Sequence, residues 1–182
     1  EYFTNDIPAW KTSARPGGER HGVWRTYHEN GVASMEGEYE DGFKEGDWEG
    51  WYVSGALALE WEYERGFRTW ETRWWESGEE SEAGPIKNET EHGNWSRWHE
   101  NGELAEKGPY INGVRLGVWE MFNVDEEFLP EKSGTYAGEE LGTIERLIAF
   151  NYEGEFLRWH ANGEASERGD FVEGLPAAEF SE

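Results

Sequence analysis

The chain has 182 residues, with 40 Asp and Glu against 16 Lys and Arg, a formal net charge of −24, and no cysteine. This charge disfavours nucleic acid as a partner, because phosphate binding relies on Lys and Arg, and it disfavours adsorption to anionic lipid. The absence of cysteine excludes disulfides and thiolate metal sites. The acidity favours a basic protein partner or simple solubility, and a high-salt habitat stays open as a third explanation.

Aromatic residues take the place of aliphatic ones, with 12 Trp, 8 Tyr and 9 Phe. Aromatic side chains bury large areas and prefer strands, so we expect an aromatic core in a folded chain and not a disordered one. No apolar run approaches the roughly 20 residues that span a bilayer, and no signal peptide is visible. The chain begins with Glu1 and not with Met, so we expect a processed or trimmed product; export and a cytoplasmic location both stay open.

A repeat of about 24 residues organises the chain. We predict an atypical capping half-repeat over residues 1–21, a repeat array over residues 22–174, and a short acidic tail over residues 175–182. The first full unit begins at Gly22 with the pattern G-x-W-x-x-Y-x-x-N-G, and the second begins at Gly46. Residues 93–119 carry the most complete unit. The third and fifth units are irregular, the sixth is short, and the seventh ends near Gly174.

Each unit predicts one β-hairpin. Asn-Gly between two aromatic-rich segments is the strongest short hairpin signal, because both residues tolerate the positive φ of a type I′ turn. The fold class is therefore all-β, an elongated, twisted antiparallel meander of about six to seven hairpins. Only residues 145–152 leave room for a helical turn. The predicted turn residues are Asn30, Gly31, Gly55, Gly78, Asn101, Gly102, Asn162 and Gly163.

Two aromatic rows follow from the spacing. Trp24 and Tyr27 are three residues apart, so a regular strand points them to opposite faces. Either a bulge reunites them, or one row forms the core and the other lines the opposite face; we favour the second. The expected core row is Trp24, Trp48, Trp95, Trp119, Tyr39, Tyr63 and Tyr110. The expected partner-binding row is Tyr27, Trp51, Trp74, Trp98, Phe122 and Trp159, because exposed aromatic area marks contact surfaces.

Neither catalysis nor metal binding is indicated. The histidines recur at repeat positions whole units apart, as inherited positions do, and do not form a metal-ligand cluster. Some pair of carboxylates among 40 will lie at a glycosidase-like separation, yet nothing singles one pair out. We therefore predict no enzyme activity, no metal and no cofactor.

The pattern G-x-W-x-x-Y-x-x-N-G, followed by G-x-Y-x-x-G-x-x-x-G-x-W, resembles the MORN-variant repeat of bacterial YwqK-type antitoxin and immunity proteins. The resemblance is specific in residues 22–66, 93–119 and 154–174. It implies an all-β hairpin array without enzyme activity, used for protein contact and in some members for neutralising a toxin.

The leading hypothesis is a non-catalytic module that docks on a basic or apolar protein surface, as a toxin-neutralising immunity protein or as an accessory subunit of a larger assembly. The alternative is a carbohydrate or cell-surface binding module that uses an exposed Trp row. A hydrolase with paired carboxylates is the third and weakest hypothesis.

Overall fold

The structure is a computed structural model that describes residues 10–14, 17–138, 140–143, 146–147 and 152–177. The chain forms two compact units, residues 1–89 and 90–182, which we call the first and the second unit. The 24-residue units of the sequence are called repeats from here on. The predicted cap lies partly outside the described residues, as do most of the acidic tail and part of the short sixth repeat. Within the cap, one strand is described, and it pairs with the first strand of the first full repeat.

The first unit is an antiparallel sheet whose seven strands follow one another in chain order. Every strand pairs with the next one along the chain, as consecutive hairpins require. The strands are β1 (Trp10–Ala14), β2 (Arg20–Tyr27), β3 (Ala33–Glu40), β4 (Phe43–Trp51), β5 (Leu57–Glu64), β6 (Phe67–Trp74) and β7 (Glu80–Lys87).

The second unit has a four-stranded antiparallel meander and a separate three-stranded sheet. The predicted all-β class and the meander of hairpins are confirmed. Residues 146 and 147 are helical, inside the segment that left room for a helical turn. The strands are β8 (Thr90–Glu91), β9 (Gly93–Trp98), β10 (Leu104–Ile111), β11 (Val114–Met121), β12 (Gly134–Ala137), β13 (Gly154–Trp159), β14 (Ala165–Val172) and β15 (Leu175–Pro176).

The Asn-Gly turns are not the type I′ turns that we predicted. At the first one, the Gly31 amide donates to the His28 carbonyl at 2.9 Å and the His28 amide donates to the Val32 carbonyl at 2.8 Å. Only Gly31 has a positive φ, of 88°, so this is a three-residue loop made of a type I turn and a left-handed glycine. Tight two-residue turns occur instead between one repeat and the next, as at Asp41 and Gly42, with φ of 48° and 86°.

The same three-residue loop recurs throughout the described chain with the same pair of backbone hydrogen bonds. In the irregular fifth repeat, Glu126 takes the glycine position with a φ of 60°. The predicted turn residues all lie in these loops. The irregular sequence of the fifth repeat therefore leaves its turn geometry unchanged.

A β-bulge follows the first strand of each clear hairpin. In the first, Thr26 pairs with Met35 but Tyr27 pairs with Ala33, so Ser34 is the extra residue. The bulge lies in the partner strand, so alternation along β2 still places Trp24 and Tyr27 on opposite faces. Equivalent extra residues are Ala58, Ser81, Ala105 and Ser166.

One face of the first unit carries most of its buried rings; we call it the ring face, and it includes Trp24, Tyr39, Trp48, Trp61 and Tyr63. Trp48 is 1% exposed. Its ring covers Gly37, where a Cβ would lie 2.1 Å from Cδ2 of the indole, and its Nε1 donates to the Glu38 carbonyl at 3.2 Å. Edge contacts with Tyr39 and Tyr63, at centroid distances of 5.1 and 6.1 Å, enclose it further.

The second unit repeats this arrangement with Trp119 over Gly108, a Cβ distance of 2.3 Å, and the indole Nε1 donating to the Pro109 carbonyl at 3.0 Å. Glycine opposite tryptophan thus lets a single sheet bury a large ring. The expected core residues Trp95, Tyr39 and Tyr110 are buried, whereas Trp24 and Tyr63 are half-buried. A second cluster in this unit comprises Leu116, Ala137, Leu147, Tyr152, Phe156 and Phe171.

Candidate functional site

The face opposite the ring face in the first unit is lined with carboxylates; we call it the acidic face. The segments Glu-Gly-Glu-Tyr-Glu (36–40) and Glu-Trp-Glu-Tyr-Glu (60–64) alternate acidic residues with residues of the ring face. The intervening strand β4 adds three more acidic side chains on the same side. The acidic face comprises Glu36, Glu38, Glu40, Glu45, Asp47, Glu49, Glu60, Glu62 and Glu64.

Strand pairing places seven of these nine carboxylates directly opposite one another. Glu49 of β4 lies between Glu36 of β3 and Glu60 of β5, and Asp47 pairs with Glu62. Like charges at paired positions destabilise a sheet by a few tenths of a kcal/mol to about 1 kcal/mol per pair. The acidic face is therefore a feature that folding tolerates and does not require.

The pKa of Glu60 reflects the crowding of carboxylates at the centre of this face. Burial first, and then the charges of neighbouring carboxylates, raise the pKa of Glu60 above its usual value. The neighbours are Asp47, Glu49 and Glu62. At one margin of the face, Glu36 forms an ion pair and hydrogen bond with Arg25, which raises the pKa of that guanidinium.

Exposed apolar side chains border the carboxylates on the same face. Each is the cross-strand partner of an acidic residue, so each points to the same side of the sheet. The pairs are Val23 with Glu38, Phe43 with Glu40, Phe67 with Glu64, and Trp70 with Glu62. Their exposed fractions are 52%, 59%, 71% and 38%. Large exposed rings beside charges are typical of contact surfaces.

The predicted partner-binding row is divided between the two units. Tyr27, Trp51 and Trp74 lie half-buried at the end of the acidic face nearest the three-residue loops. In the second unit, Phe122 and Trp159 both contact Phe128, with centroid distances of 5.8 and 5.2 Å, so they pack internally. Trp98 is half-buried there as well.

Sequence reasoning missed the more exposed side chains Phe43, Phe67 and Trp70. The available signal was the alternation of Glu in residues 36–40 and 60–64, which marks one face of neighbouring strands. Apolar residues in phase with that alternation would have been placed on the same side.

Two of the repeat-position histidines link one hairpin to the next. The ring Nε2 of His28 lies 2.8 Å from the Trp51 carbonyl, and that of His99 lies 3.2 Å from the Phe122 carbonyl. Asn30 does the same through its Nδ2, which donates to the Val53 carbonyl at 2.9 Å. Within the described ranges, no group of three or more His, Asp and Glu side chains is arranged to hold a metal ion.

The second unit differs on the face that corresponds to the acidic face. Here Lys107 and Glu120 form an ion pair at 2.8 Å, beside an open depression of about 340 Å³. Further along, the hydroxyl of Thr135 accepts from the Leu157 amide at 2.8 Å, and Thr135 is 1% exposed. Strand β13 thus covers part of this face. The depression is lined by Asn94, Trp95, Ser96, Lys107, Gly108, Pro109, Val118 and Glu120.

Taken together, the fold and the site define a β-hairpin repeat protein that presents a charged sheet face. The described chain includes no helix with the length and apolar character that a membrane crossing requires. A family model described as "MORN repeat variant" matches residues 20–41 and 91–112. Both matches fall on predicted repeats, so the chain contains MORN-variant repeats at these two places. MORN repeats generally serve as binding modules, and theirs is a non-enzymatic repeat family.

No curated protein matches the sequence significantly. Among solved structures, a crystal structure of a GtfA/B complex bound to UDP and GlcNAc is similar at 14% identity and a TM-score of 0.29. The similarity covers 69% of this chain and 25% of that one. At this TM-score the likeness carries no functional conclusion.

Proposed function

We propose that this protein is a non-catalytic binding module whose acidic face docks on a basic surface of another protein. The observation that supports the proposal best is the set of nine carboxylates on strands β3–β5, seven of which form like-charge cross-strand pairs. Such pairs oppose folding, and local conflicts of this kind are typical of functional sites. A basic partner would relieve the repulsion.

The exposed apolar residues suit the same role. Phe43 and Phe67, at the end of the face near the tight turns, offer apolar anchors, and Trp70 offers a third. Interfaces commonly combine a few aromatic anchors with a charged rim that steers the partner. The expected partner surface is therefore basic at its centre, with apolar positions along its border that meet these side chains.

Two forms of this function are compatible with the acidic face. In one, the protein neutralises a toxin by covering its basic site; in the other, it is an accessory subunit of a larger assembly. The identity of the captured partner separates them, since a toxin loses activity on binding and a subunit does not.

The test is capture of partners from the native source with two charge-matched variants. The site variant carries Glu49→Gln, Glu60→Gln and Glu62→Gln on the acidic face. The control carries Glu100→Gln, Glu126→Gln and Glu131→Gln, three exposed carboxylates of the second unit.

We expect one basic protein to be retained by the wild type and the control and lost from the site variant, with retention falling as salt rises. Equal retention by both variants would refute the role of the acidic face. Circular dichroism of all three proteins shows whether the variants are folded.

A further inference from the structure

The ring face of the first unit carries a row of cations, opposite in charge to the acidic face. Arg20, Lys44 and Arg68 recur at intervals of 24 residues, and each lies over an aromatic ring. The guanidinium carbon of Arg20 is 4.5 Å from the Trp24 centroid, and Lys44 Nζ is 4.2 Å from that of Trp48. These are cation–π distances.

At other positions of the ring face, and at the corresponding positions of the second unit, a glutamate carboxylate pairs with the cation that lies over a ring. Glu71, which is 4% exposed, accepts from Arg68 at 2.5 Å and from the Trp61 indole at 2.9 Å. In the second unit, Glu106 accepts from both Arg97 and Arg115 at 2.6 Å. A cation over a ring, bound to a carboxylate, is therefore a recurring arrangement of this protein.

Lys44 has the ring but not the carboxylate. Its Nζ donates to the Tyr63 hydroxyl at 3.3 Å and lies 4.7 Å from the centroid of that ring. Among the residues that the structure describes, no carboxylate is within ion-pair distance of Lys44. Burial first, and then the charges of Arg68 and Arg20, lower the pKa of Lys44, whereas the charge of Glu89 raises it. Because Glu89 pairs with Arg68 at 3.4 Å, the half-buried Lys44 ammonium has no described carboxylate of its own, which is notable in a chain with 40 acidic residues.

The internal repeat shows which residue is missing. An offset of 71 positions relates Lys44 to Arg115 and Trp48 to Trp119, and the two cations lie 4.2 and 4.3 Å from their ring centroids. The same offset relates Met35 to Glu106. The strand pairs agree, since Met35 pairs with Gly50 and Glu106 pairs with Met121, which is again 71 positions further on. The carboxylate of the second unit is thus replaced by a thioether in the first.

We propose that Lys44 and the Tyr63 hydroxyl form a binding site for a carboxylate group from outside the chain. Lys44 supplies the charge, and the Tyr63 hydroxyl, which accepts from Lys44, keeps its own proton to donate. Trp48 forms the apolar floor beneath the ammonium. The carboxylate is either that of a small organic acid or an Asp or Glu side chain of a partner protein. This site lies on the ring face and does not depend on the acidic face.

The test follows the Lys44 side chain by NMR, assigned with Lys44→Gln, during titration with sodium acetate and with sodium chloride at matched ionic strength. Acetate should raise the Lys44 pKa and shift its signals with saturation. Half-saturation should come at a concentration about tenfold lower than for chloride, as one charge-assisted hydrogen bond allows. Identical responses to the two salts would overturn the proposal.

The variant Met35→Glu places an internal carboxylate where the second unit has one, and Met35→Gln is its neutral control. We expect Met35→Glu to raise the Lys44 pKa without acetate and to abolish the acetate response, while Met35→Gln keeps it. Loss of the response in both variants would overturn the assignment. If Met35→Glu does not fold, the wild-type titration still decides.

A second titration identifies the source of the carboxylate. Acetyl-Gly-Glu-Gly-amide is compared with acetate, with acetyl-Gly-Gln-Gly-amide as the control. Tighter binding of the Glu peptide than of acetate supports a partner side chain, and equal binding supports a small organic acid. Binding of the Gln peptide as tight as that of the Glu peptide would contradict a carboxylate site.

Discussion

Replacing Gly37 by Ala tests how this protein buries tryptophan in a single sheet. A Cβ at position 37 would lie 2.1, 2.3 and 2.4 Å from three atoms of the Trp48 ring, closer than any non-bonded contact permits. The ring cannot move away cheaply, because it is 1% exposed, is enclosed by Tyr39 and Tyr63, and donates to the Glu38 carbonyl.

The expected loss is large. Overpacking costs about 1–3 kcal/mol when the core can adjust, and expelling a buried Trp costs about 3–5 kcal/mol, as truncation to Ala does. Because the clash involves the ring itself, we expect a value near the upper figure, about 3–5 kcal/mol of unfolding free energy. Urea unfolding followed by circular dichroism measures it.

A double-mutant cycle isolates the cause. In a Trp48→Ala background, Gly37→Ala should cost about 1 kcal/mol or less, because the clashing ring is gone. Gly78→Ala is the matched control: its φ is +99° and no atom lies within 4 Å of its Cβ position, so only backbone strain of about 1–2 kcal/mol is expected. A Gly37→Ala cost that persists without the Trp48 ring would refute the close-packing argument.

Three further substitutions test other parts of the structure. Glu60→Gln should stabilise the protein at pH 7 by a few tenths of a kcal/mol to about 1 kcal/mol. Because the folded-state pKa of Glu60 is raised, this gain in stability should vanish below the ordinary carboxyl pKa. Equal urea midpoints of the variant and the wild type at pH 7 would contradict the repulsion. Gly102→Val should lower the melting temperature strongly, since φ is 85° there, whereas Glu103→Gln should change it little. Asn101→Ala removes two hydrogen bonds, one from Nδ2 to the Val124 carbonyl at 2.7 Å and one from the Glu103 amide to Oδ1 at 3.1 Å, and should cost about 1–2 kcal/mol in urea unfolding; an unchanged midpoint would show that the Asn101 side chain does not stabilise the fold.

The sequence predicted the hairpin order because glycine and aromatic spacing report local geometry. It did not predict the turn type, because Asn-Gly fits both a two-residue type I′ turn and the last two positions of a three-residue loop. The distinction depends on the backbone of His28 and Val32, whose hydrogen bonds close the wider loop. Positive φ at Gly31 is common to both turns.

The site was harder to predict than the fold. A repeat pattern shows that Tyr27 and Trp51 are equivalent, but it does not show how much of each ring its neighbours cover. Coverage depends on contacts between strands, as with Phe128, which lies in an irregular segment and packs between Phe122 and Trp159. The acidic face depends on strand register, which the alternation in residues 36–40 and 60–64 indicates only once the hairpins are aligned.

Carboxylate footprinting tests the docking role of the acidic face most directly. Carbodiimide coupling of glycine ethyl ester, read by mass spectrometry, labels accessible Asp and Glu with and without the captured partner. We predict that binding protects Glu49, Glu60 and Glu62 and leaves Glu100 and Glu126 labelled as before. Unchanged labelling of the first three, or protection confined to the second unit, would contradict docking through the acidic face.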